Sequence, residues 1–410
     1  MTSSDVVVAV DANGADLGPA EVAAGAALAA ERGARVLLFG PVAALTAAGL
    51  PPGVEVVDAP VSIAKSPDPA RAARASTDAS IVQAARAVAD GRAHALVCAG
   101  GTGAALAAGL FNIKRARGIH RPALALPLPI PGSAAGVAPH TVTLLDVGAN
   151  AQARPEHLVQ FAFMGAALAH TVLGVARPRV ALLSNGEEDA RGAPLVLEAA
   201  RLLRERLGAG AASAAGQGAA RSAHATADAD VDAAPFAFLG NVEGGDLTGG
   251  AADVIVTDGF TGNIALKLIE GVSQTMLHAI RGAAESSPRA QLGGLLLRPA
   301  LRAFREEIDP EAQGGAYLLG LRRLGVVPHG RFTRHGFAHA IARAARGARE
   351  DVVGATHVAL QQAGALRERP AAAGAPRGAL DCEPSALDSQ PSTQDRSPSA
   401  PDASLRGSDS

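Results

Sequence analysis

Tryptophan is absent and tyrosine occurs once, so aromatic residues make up only 3% of the 410-residue chain. That leaves too few flat rings for a surface that stacks single-stranded nucleic acid or sugars. Lysine is also scarce: Lys65, Lys114 and Lys267 are the only lysines among 37 basic residues. With 39 acidic residues and a formal net charge of −2, the chain lacks the cationic excess on which a nucleic-acid binder depends. Two cysteines, Cys98 and Cys382, can build neither a disulfide framework nor a cysteine-rich zinc site. No apolar run reaches the ~18 residues of a membrane-spanning helix. The start, MTSSDVVVAV, leads straight into a strand-like run and does not read as a signal peptide. The expectation is a cytoplasmic protein. Hydrophobic residues at 48% and charged residues at 19% are enough for a sizeable core.

The dominant pattern is a short apolar run that ends in a turn of Gly, Asn and Asp. It recurs as VVVAVDANGAD (6–16), ALVCAGGTG (95–103), VTLLDVGAN (142–150), RVALLSNGEE (179–188), FAFLGNVEGGD (236–246) and DVIVTDGFTGN (253–263), with further strand-like runs at 36–40 and 54–57. Continuous apolar character predicts parallel strands covered on both faces. Helical stretches lie between them; one begins at Pro19 and runs to Gly33. Alternation of this kind predicts an open, mostly parallel α/β sheet between helical layers. Ligands of such sheets bind beyond the carboxyl ends of the strands, so the six turns are expected to share one anion-binding rim.

Three stretches stand apart. Residues 208–235 are rich in Ala and Gly without a clear period, which predicts a flexible insertion. Residues 283–306 form a basic, amphipathic segment in which Leu297, Leu301 and Phe304 share one helical face, and Pro299 is expected to interrupt it. The main domain is placed at 1–368. Residues 369–410 hold no Val, Ile, Phe, Tyr or Met and read as a disordered tail.

Several chemistries are excluded by pattern. No GxxxxGK[ST] or GxSxG occurs, and Gly101-Thr102-Gly103 lacks the last glycine of a dinucleotide fingerprint. Cys98 lies within an apolar run and reads as a small core residue. His335 and His339 are spaced as a helical face, without a further ligand in register to make a metal site. What remains is a set of backbone donors, Asn, Thr, a few acids and scattered cations, which suits a phosphate-type ligand.

At DANGADLGP (11–19) the chain resembles the phosphate acyltransferases of bacterial phospholipid synthesis, the PlsX family. The likeness continues in order through AGGTGAALAAGL (99–110), GIHRPALA (118–125), LLDVGANAQARPEHLVQFAFMG (144–165), LLSNGEEDARG (182–192), LGNVEG (239–244), VIVTDGFTGNIALKLIEG (254–271) and GGAYLLGL (314–321), over roughly residues 5–362. The resemblance implies a Rossmann-like three-layer fold related to isopropylmalate dehydrogenases, and a homodimer. It implies transfer of a fatty acyl group from acyl carrier protein to inorganic phosphate. The acyl phosphate would supply a membrane glycerol-3-phosphate acyltransferase. No cofactor or metal is implied.

Carried onto this sequence, the family motifs fall on Asp11, Asn13, Gly14 and Asp16, on Thr102, Gly103 and Asn150, on Glu188, Arg191 and Gly192, and on Thr257, Asp258, Thr261, Gly262, Asn263 and Lys267. Arg191 and Lys267 are expected to supply charge. Asn150, Asn241 and Asn263 are expected to supply hydrogen bonds. Asp11 and Asn263 could equally cap helices, and Lys267 could be a solvated helix residue. The chain departs from the pattern at Asn13, Ala15, Gly101, Gly245, Gln313 and Arg331-Phe332. Two other functions stay open: a short-chain phosphate acyltransferase using acyl-CoA, and a non-catalytic homologue that binds carrier protein or membrane. The 283–306 segment suits either a bilayer surface or a dimer partner.

Overall fold

The computed structural model describes residues 6–47, 49–130, 140–215, 234–307 and 309–367, with the side chains of 209–215 left aside. The expected tail and residues 216–233 of the expected insertion lie outside the described residues. Eleven strands are β1 (Val7–Asp11), β2 (Arg35–Gly40), β3 (Val54–Asp58), β4 (Ala95–Cys98), β5 (Ala123–Ile130), β6 (His140–Leu145), β7 (Arg179–Leu183), β8 (Ala237–Val242), β9 (Val254–Val256), β10 (Ala316–Leu319) and β11 (Leu324–Val327). The helices are α1 (Pro19–Glu31), α2 (Val42–Thr46), α3 (Pro69–Ala75), α4 (Ser80–Ala89), α5 (Thr102–Ala108), α6 (Pro155–Thr171), α7 (Pro194–Ala215), α8 (Gly259–Glu285), α9 (Pro288–Glu307), α10 (Arg334–Arg349) and α11 (Val352–Gln362).

The strands form one sheet in the order β3-β2-β1-β4-β11-β10-β5-β6-β9-β7-β8. Side chains alternate between its faces. Val8 and Val10 of β1 join a core with α1, α6, α7, α10 and α11, whereas Ala9 joins a second core with α4 and α5. Ala265, Leu266 and Ile269 of α8 pack on that second face. The expected mostly parallel, three-layer sheet is thus present.

Strand direction departs from the expectation of one rim. β3, β2, β1, β4 and β11 are parallel, and so are β6, β9, β7 and β8. Between these blocks, β10 is antiparallel to both β11 and β5, and β5 is antiparallel to β6. The second block therefore runs opposite to the first. The turns after β1, β4 and β11 open on one end of the sheet, and those after β6, β7, β8 and β9 open on the other. We call these the first and second rims.

β5 carries Pro127 and Pro129, which read against a central strand. β10 reaches it only at Ala123, Leu124 and Ala125, so the proline-bearing part is an edge on that flank and a missing N–H is tolerated there. α7 continues to Ala215, past residue 208 where its sequence loses helical period. After the undescribed stretch, Phe236 is buried edge-on against Phe163, with ring centroids 5.0 Å apart.

α8 starts at the second rim and returns over the sheet. Its 27 residues span about 40 Å, roughly twice a typical strand. The break before α9 falls at Ser286-Ser287, not at Pro299, which lies inside α9. Pro288 disfavours helical backbone at the residue before it, and the Ser287 hydroxyl accepts the Ala290 N–H at 3.2 Å. Residues 283–285 thus belong to α8. None of the helices among the described residues is long and apolar enough to cross a membrane.

Candidate functional site

The first rim gathers Asp11, Asn13, Gly14, Asp16, Thr102 and Gly103. β1 and β4 deliver their turns side by side, and a side chain at Gly14 would collide with the Ala99 carbonyl. Asp11 is buried, and its Oδ1 accepts the Asn13 N–H at 3.1 Å. Burial raises the Asp11 carboxyl above its usual range, against the opposing hydrogen bonds from Ser80, Asn13 and Cys98. The Cys98 thiol is buried beside it, 3.6 Å from Asp11 Oδ2, and burial pushes the thiol upward too. Burial works against the charged form of both groups, and Cys98 is the core residue that the sequence suggests.

Asn13 donates its amide to the Pro60 carbonyl at 2.8 Å, so this departure from the family pattern ties the β1 turn to the loop after β3. Asp16 donates its backbone N–H to the Gly330 carbonyl at 2.8 Å, bringing the β11 turn to the same rim. Gly101, with φ 68°, takes the left-handed conformation just before α5. Among the described residues, the N–H groups of Thr102, Gly103 and Ala104 have no acceptor. Ala64 packs against Gly101 and sets the neighbouring Lys65 at this rim. Lys65 carries no motif, so its place here was hidden in the sequence.

The second rim holds the remaining candidates in two adjoining groups, because β9 lies between β6 and β7. The first is the turn after β6. Asp146 is buried with φ 71°, a conformation an L-residue adopts at a cost. Its Oδ1 accepts the Ala149 N–H at 2.8 Å, and its Oδ2 accepts the Asn150 N–H at 3.1 Å and the Asn150 amide at 2.8 Å. Burial still raises the Asp146 carboxyl, more than these bonds lower it. Asp146 stands inside the LDVGAN segment but is missing from the expected site residues.

α8 docks on this turn through two glycines. A side chain at Gly262 would run into the Asp146 carbonyl, and one at Gly259 would meet the Asn150 backbone. Thr257 is buried and donates its N–H to Leu145 at 3.1 Å. Asp258 caps α8: its Oδ1 accepts the N–H groups of Phe260 and Thr261 at 3.0 Å each, and its Oδ2 accepts the Thr261 hydroxyl at 2.7 Å. Asn263 is exposed on the first turn of α8, on the side facing Gly148. Lys267, one turn on, is exposed and pairs with Glu270 at 2.8 Å.

The second group follows β7 and β8. The Asn241 amide donates to the carbonyls of Glu188 and Arg191 at 3.0 Å each, and the Ser184 hydroxyl donates to Arg191 at 3.3 Å. Gly192, with φ 121°, lets the loop turn into α7. Arg191 and Glu188 point outward, 65% and 70% exposed, with Nε and Oε2 3.8 Å apart.

These bonds separate side chains already committed within the protein from those still open to a ligand. Both amide hydrogens of Asn150 are taken, by Pro122 O at 2.7 Å and by Asp146, and both of Asn241 are taken by carbonyls. Both asparagines supply hydrogen bonds, as expected of them by type, but to the protein's own turns, and neither has a side-chain N–H left for a developing oxyanion. Asp258 and Thr261 are likewise spent on the helix cap. Arg191, Asn263 and Lys267 keep side chains open to solvent at the second rim. Exposed pairs such as Lys267–Glu270 contribute under about 1 kcal/mol, so a phosphate can displace the partner.

The chain has relatives in sequence and in fold. The family described as "Fatty acid synthesis protein" matches residues 6–221 and 205–354. A phosphate acyltransferase of Heliobacterium modesticaldum is 40% identical over 356 residues, covering 85% of this chain and 96% of that one. One from Elusimicrobium minutum is 38% identical over 347 residues, covering 83% and 91%. Among solved structures, a phosphotransacetylase from Streptococcus pyogenes superposes with a TM-score of 0.50 at 17% identity, covering 84% of this chain and 94% of that one. That likeness is one of fold. Identity of this extent over nearly the whole length of the relatives places the chain in the phosphate acyltransferase family, as an enzyme that transfers an acyl group to phosphate.

Proposed function

We propose that the acyl donor is a fatty acyl-[acyl carrier protein] thioester and that the acyl phosphate produced serves phospholipid synthesis, through a glycerol-3-phosphate acyltransferase. The observation that carries this reading is the 40% identity to a phosphate acyltransferase over 85% of the chain. A phosphate oxygen attacks the thioester carbonyl carbon, the carbonyl oxygen takes negative charge, and the C–S bond breaks as that oxyanion collapses. The carrier leaves as a thiolate and takes up a proton. Phosphate is already anionic at neutral pH, so it needs placement and charge compensation more than a strong base. In this reading Arg191 and Lys267 compensate charge, and Asn263 is the side-chain amide left to meet the oxyanion. Asn150 and Asn241 hold the turns that present these groups.

The reading includes a homodimer and a peripheral membrane contact. α8 exposes Phe260, Ile264, Leu268, Val272, Met276 and Ile280 in steps of four, and α9 exposes Leu292, Leu295, Leu296 and Leu297. An apolar surface of that length calls for cover. The α8 stripe supports a second copy of the chain as its partner, and the leucines of α9, next to Arg298 and Arg302, support an anionic bilayer surface.

The test is incubation of purified protein with long-chain acyl carrier protein and phosphate, following acyl phosphate and free carrier thiol together. Equal release of both supports the reading. Turnover with short-chain acyl-CoA alone would move the donor to a coenzyme A thioester. Carrier binding without turnover would leave a non-catalytic homologue.

A further inference from the structure

Beside the second rim lies a concentration of positive charge that the reaction outlined above does not use. The loop from the end of α5 to β5 carries Lys114, Arg115 and Arg121, the β10–β11 turn adds Arg322, the entry to α6 adds Arg154, and the chain after α11 adds Arg367; all are exposed. They are held together by backbone bonds: Arg322 N–H to Lys114 O at 2.9 Å, and Arg367 N–H to Gly118 O at 2.8 Å. None of the six forms an ion pair among the described residues. His120 and His157, with ring centroids 5.7 Å apart, sit amid them. Arg367, Arg115 and Arg154 act on His120, Arg121 and Arg154 act on His157, and Glu156 opposes them at both rings. The whole chain has a formal net charge of −2, so this patch is a local excess of one sign.

The patch adjoins the site. Arg121 precedes Pro122, whose carbonyl accepts the Asn150 amide at 2.7 Å. A bilayer contact would set cations beside exposed large apolar side chains. None of the exposed large hydrophobic residues lies in 114–122, 151–157 or 320–323, whereas α8 and α9 hold many. Aromatic rings for nucleic-acid stacking are missing there as well.

From this arrangement we infer that the Arg115–Arg121–Arg154–Arg367 surface docks the acidic face of the protein that carries the acyl thioester, beside the second rim where its acyl group reacts. The inference rests on the carrier-protein reading of the donor. Complementary charge of this kind raises the rate of encounter and falls with salt.

The experiment measures binding of a bacterial holo-acyl carrier protein, and its acyl form as donor, by the full chain and by the Arg121→Glu/Arg367→Glu variant. Arg121→Ala/Arg367→Ala and the melting temperature serve as folding controls. The expected result is an affinity for the carrier at least about tenfold weaker in the charge-reversed variant and less weakened in the alanine variant, and steeply salt-dependent only in the wild type. The KM for phosphate and the rate with a small acyl-pantetheine donor stay unchanged. Unchanged carrier affinity overturns the inference. So does unchanged carrier affinity combined with lost binding to anionic vesicles, which would make the patch a membrane contact. If the wild type binds the carrier through these residues but never turns over its acyl form, the donor reading fails and the docking surface stands.

Discussion

The Asn150 side-chain amide donates to Asp146 Oδ2 at 2.8 Å, while Asp146 itself sits at φ 71°. A residue with left-handed backbone thus organises, through its carboxylate, the turn on which α8 rests. Asp146→Ala leaves several buried donors unpaired and keeps the backbone penalty, so a loss of about 2–4 kcal/mol is expected. Asp146→Gly removes the left-handed penalty of about 1 kcal/mol and should be the less damaged of the two. Urea unfolding of both variants checks the order, and equal midpoints would show that the backbone conformation carries no strain.

His157 gives a pH dependence of definite sign. Its Nδ1 accepts the Arg154 N–H at 3.2 Å, which needs an unprotonated ring. Burial, then the charges of His120 and Arg121, lower it from 6.5 to about 4. Stability from this group is full above the unfolded value of 6.5 and declines as pH falls toward about 4, where the folded ring also takes a proton. With solvent screening the loss is roughly 1–2 kcal/mol. Unfolding midpoints from pH 7.5 to 4 should fall less in His157→Gln than in the wild type.

Arg191 and Asn241 should separate contact from support. Arg191→Ala, at an exposed site, should keep the melting temperature and lower kcat/KM for phosphate by about 10²-fold. Asn241→Ala strips two carbonyls of their donor and should lower both stability, by about 1–3 kcal/mol, and turnover. An Arg191→Ala enzyme with unchanged phosphate kinetics would remove that residue from the site.

Gly262→Ala forces a methyl group into the Asp146 carbonyl. Backbone must move to admit it, at a cost of about 1–3 kcal/mol. Displacement of Asn263 and Lys267 should lower turnover more than the stability change alone explains, which a rate measured well below the melting temperature resolves.

The two apolar helices make opposite demands. If α8 forms the proposed dimer contact, Leu268→Glu should shift the protein to monomer in sedimentation velocity without abolishing vesicle binding. Leu296→Glu/Leu297→Glu on α9 should abolish co-sedimentation with anionic vesicles at low salt and leave the oligomer intact. Exchange of these outcomes would exchange the assignments of the two surfaces.

The apolar runs ending in Gly, Asn and Asp were enough to locate β1 to β4 and β6 to β9, because a buried parallel strand and its turn are written in consecutive residues. The family motifs are legible for the same reason. The separation of the candidate residues into two rims is not. It follows from β5 and β10, where Ala125 pairs with Tyr317 far along the chain, and strand direction depends on that distant partner. Hydrogen-bond occupancy is equally hidden: Asn150 and Asn263 look alike in sequence, yet one amide is consumed by Pro122 and Asp146 and the other faces solvent. The stripe on α8 has the spacing of a core-facing helix, yet Phe260, Ile264 and Leu268 are exposed while Ala265, Leu266 and Ile269 of the same turns pack on the sheet, and tertiary structure alone decides which face meets the core.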